Sequence, residues 1–501
     1  MICIPIIANN LVDALHDMTE ASKVADIVEL RIDYIKNVDL KRLLEKRTKP
    51  VIVTNRPVRE GGKFDGSEEE RIALLKLAVQ LQADYVDVEH DSIQHLCRDT
   101  ALRVPTSKAK LIVSYHNFRE TPDDLTGIYK RLSQSGADIV KIVTHANNIT
   151  DNVRIYQLIQ QSQMPVISFC MGELGIISRI LYKRFGSYLT FASLQAGKES
   201  APGQINIHEL LNTYQAQKQD KRSAIYGLIG NPVSHSISPI IHNTLFREMN
   251  FNSIYVPFKV DTIGDFMREF RKLDIKGYSV TIPHKESVIN HLDAIDPMAK
   301  KIGAINTIVN VDGQLAGYNT DCEAAIKVLE GAHSKGERPF ALTKDVHLKG
   351  KKVTIVGAGG AARAVAFGLK ERQAQATIIN RNYARTQSLA RDVGCIARKI
   401  DDPQAFDTDI LINATPVGMY PKINETPIDK DKLKPDMIIF DTIYNPIETK
   451  LLRDAKAQGC RTVSGLSMFA YQAAAQFNLW TGRMPSVETI EKIAREKLAV
   501  K

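Results

Sequence analysis

Short apolar runs recur along the first part of the chain, each followed by a longer and mostly helical stretch. They fall at residues 2–7, 26–32, 51–54, 85–89, 111–115, 139–143, 166–169 and 188–191. Eight strands alternating with helices predict a closed parallel (β/α)8 barrel rather than an open sheet. In such barrels, chemistry gathers at the C-terminal ends of the strands. Those ends carry Glu29, Arg31, Arg56, Glu89, His116 and Lys141. A purely structural barrel has no reason to set so many ionisable groups on one rim.

A polar stretch, Gln215–Arg222, follows and reads as a short linker. The strand pattern then restarts at 224–229, 253–258, 277–282 and 304–311. Asp312–Gly313 predicts a hairpin turn leading into a further strand over 314–318. Residues 330–350 are polar and read as a connection to another α/β domain. That domain opens with the apolar run 351–356 and then Gly357, Ala358, Gly359, Gly360, Ala361 and Ala362. This is G-x-G-x-x-A between a strand and a helix. Its glycines permit a tight turn and bring backbone N–H groups close to a pyrophosphate. The second strand of the domain, 376–380, ends in Asn380 and Arg381, with Arg385 four residues further on. An NAD site usually carries an acid there. Guanidinium groups suit the additional phosphate of NADP.

The composition is 44% hydrophobic and 25% charged over 501 residues, which is ordinary for a soluble chain of several domains. No apolar run reaches the length of a membrane span. Residues 1–7 read directly as a strand, without the flank or cleavage site of a signal peptide. The six cysteines are scattered without a C-x-x-C pair, which fits a reducing cytosol and argues against a zinc cluster. A cytoplasmic protein without a metal is therefore expected. The formal charge of +9 comes without a long basic run or nucleic-acid motif, so anionic small molecules are the expected partners. Oligomeric state is not legible here, and a monomer is compatible with the sequence.

Lys141 sits among branched aliphatic residues, Ala137 to Val143, and His116 ends the preceding strand. Read as an isolated lysine, it should be pushed by desolvation toward the neutral, nucleophilic amine. Such an amine forms an imine with a ketone, and a nearby imidazole moves the protons. A snorkelling strand-end lysine is the bland alternative.

Residues 1–215 resemble type I 3-dehydroquinate dehydratase. The resemblance rests on V-E-L-R-I-D (28–33), N-R-P-V-R-E-G-G (55–62), S-Y-H-N-F (114–118), A-D-I-V-K-I (137–142), G-I-I-S-R (175–179) and S-A-P-G-Q (200–204). From about residue 223 onward, the chain resembles shikimate dehydrogenase. The matching stretches are G-N-P-V-S-H-S-I-S-P (230–239), V-T-I-P-H-K (280–285), G-A-I-N-T (303–307), N-T-D (319–321), G-A-G-G-A (357–361), N-A-T-P-V-G-M (413–419) and S-G-L-S-M-F-A-Y-Q (464–472). The tandem order is similar to that of the fused enzymes of plants and some bacteria.

The resemblance implies a barrel followed by a two-domain α/β dehydrogenase with a Rossmann-like NADP domain. A substrate-binding domain over 223–330, completed by helices within 468–501, would flank an NADP-binding domain over 331–467. In the barrel, Lys141 would form the imine with 3-dehydroquinate and His116 would shuttle protons. Arg179 would anchor the carboxylate, with Glu29, Arg31, Arg56, Ser200 and Gln204 orienting the substrate. Glu89 is expected to orient His116. In the second half, Lys285 and Asp321 would be the catalytic pair for 3-dehydroshikimate. Ser236 and Ser238 would hold its carboxylate, and Thr281, Asn306, Tyr444 and Gln472 would complete the substrate site. Thr415 and Gly465 join the glycine loop and Asn380, Arg381 and Arg385 as cofactor residues. His235 and His284 are read as structural or solvent-facing. Ser279 stands where single-domain bacterial dehydrogenases often have Asn, a feature of the plant-type fused enzymes. Two rivals remain: a quinate dehydrogenase using NAD, and a metabolite sensor that binds without turnover.

Overall fold

The computed structural model describes residues 1–97, 109–331 and 347–499. Most of the expected connection over 330–350 thus lies outside the described residues. The chain divides into two compact units, one of Met1–Ile225 with Phe246–Asp274, the other of Tyr226–Leu245 with Ile275–Lys501.

In the first unit the strands are β1 (Ile2–Ile6), β2 (Ile27–Arg31), β3 (Val51–Thr54), β4 (Tyr85–Glu89), β5 (Lys110–His116), β6 (Ile139–His145), β7 (Val166–Met171), β8 (Thr190–Ser193) and β9 (Ile205–Asn206). They form one sheet in the order β7-β6-β5-β4-β3-β2-β1-β8-β9. The sheet curls until its ends meet, where Tyr188 N donates to Val166 O at 2.7 Å. The rings of Phe169 and Phe191 approach to 5.8 Å across the same seam. The short β9 beside β8 was not expected from the pattern.

Side chains alternate across a strand, so residues two apart share a face. Inside the barrel, the lower layer is apolar: Ile27, Ile52, Tyr85, Ile112, Ile139 and Ile167 belong to one core cluster. Two residues along β2, β4, β5 and β6 come Glu29, Asp87, Ser114 and Lys141, all buried. The barrel interior is thus greasy near the strand starts and ionisable toward their ends. The short linker expected over 215–222 is packed against the barrel. Ala216 is fully buried, and Gln219 Nε2 donates to Ile180 O at 3.2 Å. Within this polar run, Gln219 bonds backbone of the barrel wall and Gln217 Nε2 reaches Asp26 Oδ1 at 3.4 Å.

Two further strands complete the count up to the second unit: β10 (Ala224–Gly230), which leads into it, and β11 (Ser253–Lys259), which falls in the first unit. The second unit continues with β12 (Ile275–Val280), β13 (Ala294–Ile295), β14 (Thr307–Val311) and β15 (Gln314–Tyr318). β14 and β15 form the expected hairpin, with Val311 opposite Gln314. The Rossmann-like sheet contains β16 (Lys352–Val356), β17 (Gln375–Ile379), β18 (Ile396–Arg398), β19 (Ile410–Asn413), β20 (Ile438–Asp441) and β21 (Arg461–Ser464). Its order is β18-β17-β16-β19-β20-β21, and every neighbouring pair is parallel. The order reverses at β16, and ligands bind at such a switch point outside the strand ends. The helix Gly465–Thr481 docks on β12 and β14 through Gln476, which accepts from Ser279 Oγ at 2.8 Å and donates to Asn306 O at 2.9 Å. Trp480 Nε1 donates to Ile308 O at 3.0 Å and lies over Gly277, where a Cβ would come within 2.4 Å of the indole.

Candidate active sites

One cavity opens at the C-terminal end of the barrel, lined by Glu29, Arg31, Arg56, Glu60, His116, Lys141, Arg179 and Ser200 among others. Lys141 is buried, with Nζ 2.7 Å from Asp87 Oδ2, 3.6 Å from Glu29 Oε1 and 4.6 Å from the centre of the Phe191 ring. The expectation of an isolated lysine is therefore corrected: its strand neighbours are aliphatic, but β4 and β2 supply carboxylates. Burial would raise the Asp87 carboxyl, yet Arg56 and Lys141 outweigh it and hold the group well below the usual carboxylate range. Asp87 also accepts from Ser114 Oγ at 2.7 Å, and Thr54 Oγ1 donates to Glu29 at 2.8 Å.

Arg56 lies behind this group. It reaches Glu89 at 2.6 Å and Asp87 at 2.8 Å, and donates to Ser114 Oγ at 2.7 Å. Arg71 meets the other oxygen of Glu89 at 2.7 Å. Glu89 is consequently spent on two guanidinium groups and does not orient His116. That expectation is corrected too: His116 Nδ1 bonds Glu60 Oε2 at 2.8 Å. Burial, followed by Arg56 and Lys141, pushes the imidazole well below 6.5. Burial lifts Glu60 to about 8, against the pull of Arg56. The pair thus shares one proton across neutral pH.

Arg179 behaves differently from Arg56. It is 1% exposed, lies 4.1 Å over the Phe169 ring, and its Nε and Nη2 have no hydrogen-bond partner among the described residues. Burial brings it down to about 9, so it is still cationic at neutral pH. A buried guanidinium with free donors facing a cavity is a receptor for an anion, because its desolvation is otherwise uncompensated. Ser200 and Gln204 are joined to each other, Ser200 N donating to Gln204 Oε1 at 2.7 Å, while Gln204 Nε2 is unpartnered. Arg31 is clamped by Asp33 at 2.8 and 2.9 Å.

In the second unit, Lys285 Nζ donates to Asp321 Oδ2 at 2.5 Å. Asp321 is the first residue of the helix Asp321–Leu329, where a carboxylate is favoured by the helix dipole. Asn306 accepts from Thr320 N at 2.8 Å and donates to Thr320 Oγ1 at 2.9 Å, leaving one amide hydrogen uncommitted. Ser238 opens the helix Ser238–Glu248, and its N donates to Ser236 Oγ at 3.2 Å. The Tyr444 hydroxyl bonds Ser236, and its ring packs on Phe469 at 4.4 Å. Thr281 is half-buried beside this group, with its N bonded to Ile229 O at 2.9 Å. Gln472 Nε2 is bonded to Phe469 O at 2.9 Å. Exposed His235 is edge-on to Tyr420, while His284 is buried.

The glycine turn after β16 adjoins Lys285. A Cβ on Gly360 would meet Lys285 Cβ and Cδ at 3.1 Å, so this glycine lets the helix Gly360–Glu371 start against the Lys285 side chain. A Cβ on Gly359 would meet nothing within 4 Å, and no side chain caps that helix. Space and uncapped N–H groups at a helix start fit a pyrophosphate. Gly357 has φ +123°, which favours glycine, and its N is bonded to Ile379 O at 2.8 Å. Arg381 and Arg385 are exposed, without an ion-pair partner among the described residues. Asn380 Nδ2 reaches Asn382 O at 3.5 Å. Thr415 Oγ1 donates to Asn413 Oδ1 at 2.7 Å, and Gly465 leaves no room for a Cβ, with Thr442 O only 2.3 Å away from one.

Comparison with known proteins follows this division. The family model described as type I 3-dehydroquinase matches residues 2–221. Models for the shikimate dehydrogenase substrate binding domain, shikimate/quinate 5-dehydrogenase and the shikimate 5'-dehydrogenase C-terminal domain match 228–308, 340–450 and 465–495. The chloroplastic bifunctional 3-dehydroquinate dehydratase/shikimate dehydrogenase of Arabidopsis thaliana is 42% identical over 96% of this chain and 82% of that protein. The chain belongs to this bifunctional family. The NADP(+) shikimate dehydrogenase of Bacillus cereus strain B4264 is 38% identical over 55% of this chain and 98% of its own length. A solved shikimate dehydrogenase in complex with NADP+ is 38% identical, with a TM-score of 0.50, over 56% of this chain and 97% of that one.

Within the bifunctional family scaffold, Asp87 lies outside the quoted motifs, and Glu60 and Asp33 lie inside them but were given no role by the sequence. A signal for Asp87 existed: in Tyr85-Val86-Asp87-Val88-Glu89 the two acids fall on one face. Glu60 could not be placed, because it reaches His116 from a short turn, Val58–Glu60, after another strand.

Proposed function

We infer that the chain dehydrates 3-dehydroquinate to 3-dehydroshikimate in the barrel and reduces that ketone to shikimate in the second unit, with NADPH. The observation that carries this reading is the pair of lysine-centred sites. Lys141 faces a cavity beside a neutral imidazole and an unpartnered guanidinium, while Lys285 is bonded to Asp321 against a dinucleotide-type loop.

In the barrel, the Lys141 amine attacks the C3 ketone and water leaves, giving an imine that serves as an electron sink. His116 removes the C2 proton, and the C1 hydroxyl departs as water with a proton from the imidazolium. Hydrolysis of the imine releases product. Arg179 holds the carboxylate, Glu60 orients His116, and Glu29, Arg31, Arg56, Ser200 and Gln204 set the hydroxyls and carboxylate. In the second unit, NADPH when bound supplies the hydride. Lys285 gives a proton to the ketone oxygen while Asp321 holds the amine. Ser236 and Ser238 take the carboxylate, and Thr281, Asn306, Tyr444 and Gln472 surround the ring. Gly357–Ala361 and Thr415 would hold the pyrophosphate side of the cofactor and Gly465 would let the chain approach it, while Arg381 and Arg385, with Asn380, would meet its 2′-phosphate.

The proposed division is a barrel over 1–215, a substrate domain over 223–330 completed by 468–501, and a cofactor domain over 331–467. The proposed setting is the cytoplasm, supported by free thiols at Cys3, Cys170, Cys322, Cys395 and Cys460. Among the described residues, no helix is long and apolar enough to cross a membrane. Purified protein supplied with 3-dehydroquinate and NADPH should yield shikimate with matching oxidation of NADPH. Accumulation of 3-dehydroshikimate without oxidation would remove the second activity, and no conversion would remove both.

A further inference from the structure

Asp441 ends β20 and is fully buried, yet its carboxyl meets no Lys, Arg or His among the described residues. Burial pushes it up to about 6, with Thr449, Ile443 and Asn413 working the other way through hydrogen bonds. A buried carboxylate without a cation is costly, and a neutral residue would brace the strand end with less penalty. The geometry points to what the carboxylate supplies. Both of its oxygens only accept. Oδ1 accepts from Asn413 Nδ2 and from Ile443 N, each at 3.0 Å, and Oδ2 accepts from Thr449 Oγ1 at 2.6 Å.

Facing an acceptor, the Asn413 amide must turn its NH2 inward. Its Oδ1 then faces the next loop and accepts from Thr415 N at 3.0 Å and Thr415 Oγ1 at 2.7 Å. With its proton so committed, the Thr415 hydroxyl accepts from Val417 N at 3.2 Å. This loop lies on the glycine turn, for a Cβ on Gly357 would be 3.0 Å from Ala414 O and 3.1 Å from Thr415 Cγ2. On its other side the same carboxylate holds Ile443 N, the residue before Tyr444, whose hydroxyl reaches Ser236.

We propose that Asp441 is a positioning residue of the reductase: it fixes the amide of Asn413, and through it Thr415, in the orientation that receives the nicotinamide cofactor, while bracing the turn that carries Tyr444. This rests on the reductase reading above. The test uses the full chain as wild type, Asp441→Asn, Asn413→Ala and the double variant. Reduction of 3-dehydroshikimate gives kcat and KM for each substrate, and dehydration of 3-dehydroquinate in the same samples reports on the barrel. Asp441→Asn puts a donor where only acceptors stood and lets the Asn413 amide reverse. KM for NADPH should rise about tenfold in each single variant, the worth of about one hydrogen bond. Saturated kcat should stay within about twofold of wild type. The double variant should be no worse than Asn413→Ala, because the two residues act in one chain of bonds. A purely structural role would lower kcat through loss of folded reductase and leave KM unmoved, and that result overturns the proposal. If Asp441→Asn does not fold, Asn413→Ala decides alone by the same KM. A wild type that cannot reduce 3-dehydroshikimate overturns the reductase reading itself. An active wild type with unchanged KM in the variants overturns only the role of Asp441.

Discussion

Lys141, His116 and Arg179 show three ways in which burial is put to use. Lys141 is held against Asp87 and Glu29. Borohydride added with 3-dehydroquinate should fix reduced ligand on the peptide containing Lys141, and Lys141→Ala should lose both label and dehydration. Labelling of another peptide would displace Lys141 from the role. For His116, burial and the cations Arg56 and Lys141 disfavour the imidazolium, so its pKa lies below 6.5. A base is inactivated by protonation, and a depressed pKa moves that inactivation to lower pH. The acid limb of kcat/KM for dehydration should therefore fall below pH 6.5, and a limb above that value would contradict this account. Arg179 is buried with free donors, so it costs stability until an anion arrives. Arg179→Met should raise the Tm of the ligand-free protein, since it removes a buried charge whose desolvation no hydrogen bond to Nε or Nη2 among the described residues offsets. The same change should raise KM for 3-dehydroquinate by about a hundredfold or more, through loss of two charge-assisted bonds worth about 1.5–3 kcal/mol each. A lower Tm, or an unchanged KM, would show that Arg179 serves the fold and not the substrate.

At the scale of elements, the strand period separates core from chemistry, and a helix start does the same in the second unit. Ile112, Ser114 and His116 share the inner face of β5, as Ile139 and Lys141 share that of β6. In the Rossmann-like sheet, β17 ends beside Asn380, and exposed Arg381 and Arg385 follow without acidic partners. The 2′-phosphate is the difference between NADP and NAD, so these guanidinium groups should set the preference. Arg381→Ala or Arg385→Ala should lower kcat/KM for NADPH about tenfold, the worth of one charged hydrogen bond, with little change for NADH. The ratio of kcat/KM for the two cofactors measures this directly, and an unchanged ratio in both variants would move phosphate recognition elsewhere.

For the whole molecule, each constellation is complete within one compact unit. Lys141, Asp87, His116 and Glu60 all lie in the first, and Lys285, Asp321, Asn306 and Tyr444 all lie in the second. Sites without shared partners respond additively to mutation. Lys285→Ala should abolish reduction while 3-dehydroquinate still becomes 3-dehydroshikimate at the wild-type rate. Product analysis with NADPH present checks both at once. Loss of dehydration in a folded variant would contradict the independence of the two sites.

Lys285 and Asp321 were singled out by the family resemblance, whereas local pattern was enough for the strand and helix alternation, for the glycine turn after β16, and for placing His116 at the end of one strand and Lys141 within the next. These are matters of period and of residues near in sequence, where each side chain's direction follows from its own backbone. Partnership was a different matter. Lys141 looked isolated because its neighbours along the chain are aliphatic, whereas Asp87 meets it from two strands away. Glu89 looked free to orient His116, but Arg56 and Arg71 occupy it, and Glu60 arrives from a turn. The polar run at 215–222 looked like a loose connection because composition does not reveal what each amide bonds. Sequence by itself therefore determined which elements form and which ionisable groups they carry. The tertiary structure alone decided which charges meet, since curling the sheet brings together side chains whose separation along the chain sets no distance between them.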